Sequence, residues 1–295
     1  MKKVVITERL DQACADWLSE RCEVVWHRFD APGLEAAIAD ADALVVRTYT
    51  RVDAAFLALC PNVRVIGRAG VGLDNFDLDA CQAAGVRVVN TPDANTQAVV
   101  EYVLGLMLDR FRPRAPLPRG ADAETFHRMR EHEVGRELAT MTLGVVGFGR
   151  VGRRVTAVAE ALGMSVLACD IEPLDPRLVP HARVYGESDI VTLHADGRAT
   201  NRHMIGADQF GRMKPDAMFI NAARGMLVDA AACRRWLEAH PAAFAALDVH
   251  DPEPPAADSP LHGLKNCRLL AHLASRTDTA LSNMSWVVRD VWEAL

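Results

Sequence analysis

The sequence predicts an α/β protein made of two doubly wound parallel-sheet domains. Three observations point there. Short β-rich runs alternate with Ala-rich amphipathic segments along most of the chain, a rhythm that builds a parallel sheet covered on both faces. The alternation comes as two series, separated by a long apolar helix and a proline-rich break. The 295 residues also exceed what one hydrophobic core usually supports.

In the first series the strand candidates are residues 4–7, 23–26, 43–47, 63–67 and 86–90. Helical stretches at 11–20, 34–39, 54–59 and 79–84 lie between them. Asp53 is placed to cap the third of these, and Gly85 to end the fourth. An apolar helix then runs from Asn95 to about Phe111. It stops at Arg112-Pro113-Arg114-Ala115-Pro116-Leu117-Pro118-Arg119-Gly120, where three prolines and a glycine fall within nine residues. The stretch on to Glu137 is charged, with seven arginines from Arg110 to Arg136. It reads as an irregular arm that is solvated or contacts another subunit. The second series begins at Thr142, with strand candidates at 143–146, 165–169, 190–194, 217–220, 245–249 and 268–270. A last helix spans 278–295.

Composition narrows the function. The 33 Lys+Arg against 39 Asp+Glu leave a net charge of −6, a poor basis for holding nucleic acid. No stretch approaches the ~18 uncharged apolar residues of a membrane span. The apolar run after Lys3 is too short for a signal-peptide core and reads as the first strand. Seven cysteines are scattered without a CxxC pair, which argues against zinc-ribbon and thioredoxin-type chemistry and favours a reducing cytoplasm. The histidines, His132 between Glu131 and Glu133 included, show no metal-ligand spacing. Of the basic residues 29 are arginine, a bias typical of GC-rich coding, so arginine clusters are weighed lightly.

Leu143-Gly144-Val145-Val146 leads into Gly147-Phe148-Gly149-Arg150-Val151-Gly152. A GxGxxG alone is weak, but here a strand precedes it, a helix follows, and a second strand ends at Asp170, 18 residues past Gly152. Gly147 permits the tight turn, Gly149 lets a pyrophosphate approach, and Gly152 lets helix pack on strand. The helix N-terminus offers free N–H groups and a positive dipole to the diphosphate. Asp170 can accept hydrogen bonds from ribose hydroxyls and would repel a 2′-phosphate. The cofactor is therefore expected to be NAD.

Four further segments fall in register around that motif. They are Gly67-Arg68-Ala69-Gly70-Val71-Gly72-Leu73-Asp74, Asn221-Ala222-Ala223-Arg224-Gly225, Asp248-Val249-His250-Asp251-Pro252-Glu253-Pro254 and Ala271-His272-Leu273-Ala274-Ser275. Together they resemble the D-isomer-specific 2-hydroxyacid dehydrogenases, above all the D-3-phosphoglycerate dehydrogenase branch, over nearly the whole chain. The resemblance implies a flavodoxin-like substrate domain (1–95 and 275–295) and an inserted Rossmann NAD domain (96–274), with the active site in the cleft. It implies a homodimer through the region around 112–140, and no nucleic-acid, membrane or metal partner.

The family's catalytic set corresponds here to Arg224, Glu253 and His272. Oxidising a 2-hydroxy acid takes a proton from the hydroxyl and a hydride from its carbon. A histidine can carry the proton. A neighbouring carboxylate fixes its tautomer and favours the imidazolium. An arginine fork holds the substrate carboxylate and polarises the carbonyl. Taken singly, a histidine after a strand is more often a structural residue; the joint spacing carries the assignment. The resemblance adds Thr96, Arg150, Val151, His194, Ala222 and Asp248 to the cofactor contacts, together with Arg224 and His272. It assigns the substrate to Arg47, Thr48 and the N–H groups of Ala69, Gly70, Val71 and Gly72, along with Arg224 and His272.

Ala271 stands where the family carries a proline, residues 195–200 lack its usual prolines, and Tyr49 is bulky for its loop. These departures bear on substrate identity. The expected activity is NAD-dependent oxidation or reduction of a small D-2-hydroxy or 2-keto acid. A phosphate- or phosphonate-bearing acid such as 3-phosphoglycerate or hydroxymethylphosphonate, or glycerate, is within range. Arg47, Arg51, Arg68 and Arg276 are candidates for a second anionic group. The alternative is a non-catalytic NAD(H)-sensing protein of the same fold, akin to the corepressors, which the three catalytic residue types disfavour.

Overall fold

The computed structural model describes residues 1–172 and 175–295. The chain forms two compact units, Met1–Asn95 with Ser275–Leu295, and Thr96–Ala274.

In the first unit β1 (Lys3–Ile6), β2 (Glu23–Trp26), β3 (Ala43–Val46), β4 (Val65–Arg68) and β5 (Arg87–Asn90) form one parallel sheet in the order β2-β1-β3-β4-β5. Its strands are apolar on both faces. Val4 and Ile6 of β1 join one buried cluster and Val5 the other; Ala43 and Val45 of β3 oppose Leu44 and Val46 in the same way. A strand buried on both faces needs helices on both sides. Helices Leu34–Ile38, Ala54–Ala58 and Leu78–Ala83 supply Ile38, Leu57 and Cys81 to one cluster. Gln12–Ser19 and the C-terminal Val287–Ala294 supply Leu18, Val287, Val288 and Val291 to the other. Asp53 caps its helix by accepting from Phe56 N at 3.0 Å. Gly85 takes φ +68° just past the fourth helix.

The expected single helix over 278–295 is two helices, Asp278–Ser285 and Val287–Ala294, with Trp286 between them. Ser285 explains the break. Its Oγ donates back to Leu281 O at 2.8 Å and accepts from Asp11 N at 3.0 Å, a side-chain bond that competes with the helical ladder.

In the second unit β6 (Thr142–Val146), β7 (Ser165–Cys169), β8 (Ile190–Leu193), β9 (Met218–Asn221), β10 (Phe244–Leu247) and β11 (Cys267–Leu269) form a parallel sheet ordered β11-β10-β9-β8-β6-β7. The chain leaves β6 for β7 on one side and then crosses to β8 on the other. Such a switch point opens a crevice at the carboxyl ends of the strands. The register aligns Val146, Leu193, Asn221, Leu247 and Leu269 in one row. The loops after five strands therefore start side by side. Helices Thr96–Phe111 and Arg150–Ala161 cover one face through Val99, Val103, Val155 and Ala159.

Part of the segment expected to be irregular is a helix, Ala123–His132. Asp122 caps it, accepting from Thr125 N at 2.8 Å. None of its residues is buried. Among the described residues no helix is long and apolar enough to cross a membrane, and all seven cysteines are free.

Candidate active site

The glycine turn follows β6 directly. Gly147 takes φ +92°, and a Cβ there would lie 2.7 Å from His194 O, so no side chain is accommodated where the β6 and β8 loops meet. A Cβ on Gly152 would lie 2.0 Å from Gly147 O, which is how the first turn of the following helix closes on the strand end. Above Gly149 no atom of the described residues beyond its own neighbours lies within 4 Å of a Cβ position, leaving the backbone open to a close-approaching group. Asp170 follows β7 and accepts from Phe148 N at 2.6 Å and Glu172 N at 3.1 Å. The ribose-type carboxylate is thus tied to the glycine turn itself.

Of the other cofactor candidates, His194 and Ala222 follow strands of that row. His194 follows β8; its N–H donates to Val146 O at 2.7 Å and its Nε2 meets Thr192 Oγ1 at 3.0 Å. Burial pushes its pKa down to about 4, so the ring is neutral at physiological pH. Thr96, at the start of the long helix, has a buried Oγ1 with no hydrogen-bond partner among the described residues. Val151 and Ala222 are partly buried against the core beneath them. An open glycine backbone, a helix N-terminus, an acid after the second strand and an orphaned buried hydroxyl fit a dinucleotide.

The loops after β9, β10 and β11 carry the candidate catalytic groups. Asn221 holds the turn that presents Arg224: its Oδ1 accepts from Ala223 N at 3.0 Å and its Nδ2 donates to Arg224 O at 2.8 Å. The turn then packs on the next loop, because a Cβ on Gly225 would lie 1.9 Å from the carbonyl carbon of His250. His250 N donates to Glu253 Oε1 at 3.0 Å, and Glu253 Oε2 meets His272 Nδ1 at 2.8 Å. Burial alone would raise the Glu253 pKa, but the hydrogen bonds from His272 and His250 outweigh it and hold the carboxyl below its usual value. Glu253 therefore faces the His272 ring as a carboxylate. Both side chains remain accessible, at 37% and 42%.

Asp248 organises the histidine. Its backbone O accepts from His272 N at 2.8 Å, and its carboxylate accepts from Leu273 N and Ala274 N, each at 2.9 Å. Tyr102, from the helix Thr96–Phe111, donates its hydroxyl to the same carboxylate at 2.9 Å. His272 sits at φ +55°, a left-handed conformation uncommon for a side-chain-bearing residue. Three hydrogen bonds from residues 272–274 to one buried residue hold it there. Asp248, a cofactor candidate by resemblance, is fully buried, and its carboxylate takes three protein donors that tie it to the His272 loop and the long helix. Tyr102 and His250 were not singled out in the sequence.

Two loops of the first unit carry the expected substrate contacts. The loop after β3 wraps one carboxylate: Glu8 accepts from the N–H groups of Arg47, Thr48, Tyr49 and Thr50 at 3.0–3.2 Å. Glu8 too was invisible in the pattern. Arg47 donates to Arg9 O at 3.0 Å. Burial and the neighbouring Arg276 charge lower the Arg47 pKa, with Glu8 opposing. The glycine loop after β4 divides its N–H groups. Ala69 N and Gly70 N are already spent on Val46 O and Arg68 O, both at 2.8 Å. The N–H groups of Val71 and Gly72 are not committed to a backbone carbonyl of the described residues in this way. Among the described residues no group of three or more His, Cys, Asp or Glu could hold a metal.

Residues 104–274 match the family model described as D-isomer specific 2-hydroxyacid dehydrogenase, NAD binding domain. A D-3-phosphoglycerate dehydrogenase of Archaeoglobus fulgidus is 35% identical over 98% of this chain and 56% of its own length. The chain thus spans little more than half of that relative. An (S)-sulfolactate dehydrogenase of Chromohalobacter salexigens is 35% identical over 98% of this chain and 97% of its own. Among solved structures, the TT0316 protein of Thermus thermophilus superposes with a TM-score of 0.85 at 30% identity, covering 99% of this chain and 96% of that one.

Proposed function

The chain belongs to the D-isomer-specific 2-hydroxyacid dehydrogenase family and carries its NAD-binding domain, and from that premise we propose that it transfers a hydride between NAD and a small D-2-hydroxy acid. The observation that carries this reading is the 2.8 Å couple between His272 Nδ1 and Glu253 Oε2, on loops that leave the same strand row as the glycine turn.

NAD, when bound, accepts or gives the hydride. The protein does the rest. His272, with Nδ1 engaged by Glu253, has Nε2 as its other nitrogen; that atom takes the hydroxyl proton in oxidation and returns it in reduction. Glu253 keeps one tautomer and stabilises the charge that forms. The Arg224 fork pairs with the substrate carboxylate. Gly147, Gly149, Arg150, Val151 and Gly152 hold the diphosphate, Asp170 holds the adenosine ribose, and Thr96, His194 and Ala222 line the dinucleotide. Val71 and Gly72 N–H groups and the Thr48 side chain complete the substrate's polar contacts.

The substrate class proposed carries a second acidic group, with Arg47 of the loop after β3 as its candidate partner. The two curated relatives described above, named for phosphoglycerate and sulfolactate, fit that class. The test is nicotinamide absorbance with a panel of 2-hydroxy and 2-keto acids with and without a phosphate, phosphonate or sulfonate. Turnover greatest on the doubly acidic members is expected. Turnover confined to lactate-like monoacids would contradict the substrate class, and none at all would contradict the activity.

A further inference from the structure

The glycine turn carries a second constellation that hydride transfer does not use. Phe148, between the first two glycines, is 4% exposed. Two guanidiniums lie over its ring, Arg153 at 4.8 Å and Arg177 at 5.2 Å from the centroid. One carboxylate ties them together. Arg153 Nη1 donates to Asp175 Oδ2 at 2.9 Å, while Arg177 donates through Nε and Nη2, both at 3.1 Å. Arg177 N adds a third bond at 3.0 Å. Arg153 Nε also donates to Phe148 O at 3.0 Å, and on the other side of that residue Phe148 N donates to Asp170 at 2.6 Å. A single buried residue thus links the ribose carboxylate to the bridged arginines. The Asp175 side chain is only 10% exposed; the arginine side chains are about half exposed, at 48% and 55%.

We propose that Asp175 is a second determinant of cofactor choice, which acts by occupying Arg153 and Arg177 so that neither is available to a 2′-phosphate. This rests on Asp170 being the ribose acid. The charges make the case. Guanidinium forks are the side chains best matched to a phosphate, and two stand beside the expected adenosine ribose. Free, they would offset the repulsion from Asp170 and invite NADP(H). Bridged, Arg153 Nη1 and the Nε and Nη2 of Arg177 point to Asp175, whose charge offsets theirs. Selectivity for NAD then comes from two carboxylates with different tasks, one facing the ribose and one restraining cations.

The test is calorimetric titration of the full chain with NADH, NADPH, 5′-AMP and 2′,5′-ADP, which reads binding and not turnover. The proteins are wild type, Asp170→Ala, Asp175→Ala and the double variant. Asp170→Ala should narrow the gap between NADH and NADPH. Adding Asp175→Ala should tighten NADPH and 2′,5′-ADP by a further factor of about ten, with AMP nearly unchanged. That gain should fade at high salt and vanish when Arg177→Gln is added. Folded variants in which Asp175→Ala leaves NADPH and 2′,5′-ADP unchanged in both backgrounds would overturn the proposal. A ratio unmoved by Asp170→Ala would instead overturn the ribose assignment. Should Asp175→Ala not fold, Asp175→Asn keeps the size, removes the charge and is read the same way.

Discussion

At the scale of the residue, the site is a chain of short bonds that ends on one imidazole. Asp248 fixes the backbone of His272, and Glu253 fixes its ring. Replacing His272 with alanine should lower turnover by roughly 10²–10⁴-fold, the scale of general acid–base catalysis, with NADH affinity little changed; steady-state rates and a binding titration check both halves. Arg224→Lys should lose much of the activity because a point charge cannot copy the planar fork. A fully active lysine variant would remove Arg224 from the substrate carboxylate. His194 gives a pH prediction. Its folded pKa, about 4 through burial, lies below the ordinary value. Between the two values the unfolded chain binds more protons, so His194 contributes stability above about pH 6.5 that is lost as the pH falls toward about 4. Melting temperatures of wild type and His194→Asn across that range should converge at low pH.

At the scale of the element, what the sequence made legible depended on burial. The strands were readable because both faces are apolar, as at Val4, Val5 and Ile6 or Leu44, Val45 and Val46, and a run of that kind leaves few alternatives. The helix Ala123–His132 was not, because a helix with no buried residue leaves no apolar stripe to find. Ser285 broke the last helix through a bond to Asp11, a residue far away in sequence. The same limit governed the site. Arg224, Glu253 and His272 sit in motifs whose spacing is local. Glu8 and Tyr102 act through bonds spanning about 40 and 146 positions, which no local pattern records. Tyr102 can be tested as an element's contribution, since it anchors the helix Thr96–Phe111 to the His272 loop. Burial and the bond to Asp248 push its pKa up, so it remains a donor. Tyr102→Phe leaves a buried carboxylate short of one partner and should cost about 1–3 kcal/mol of stability, read from denaturant melts. Gly152→Ala, with its Cβ 2.0 Å from Gly147 O, should displace the turn and weaken NADH binding by about tenfold or more.

At the scale of the whole molecule, the register of the second sheet is what makes the site. Because Val146, Leu193, Asn221, Leu247 and Leu269 lie in one row, loops far apart in sequence begin together. The glycine turn, the Arg224 turn and the Glu253 and His272 loops are its products. The first unit carries a separate feature, a loop wound on Glu8 that positions Arg47 and Thr48. Arg47→Ala should therefore raise KM for phosphorylated or sulfonated acids by about tenfold or more while affecting monoacids less, which parallel kinetics on both classes would show. The central claim is that this fold drives nicotinamide chemistry through the His272–Glu253 couple. It is tested most directly by following nicotinamide reduction on the preferred hydroxy acid in wild type and His272→Gln, with NADH binding measured in both. NADH binding should change little beside a turnover that collapses in the variant alone; near-normal turnover without His272 would mean that it is not the acid–base group.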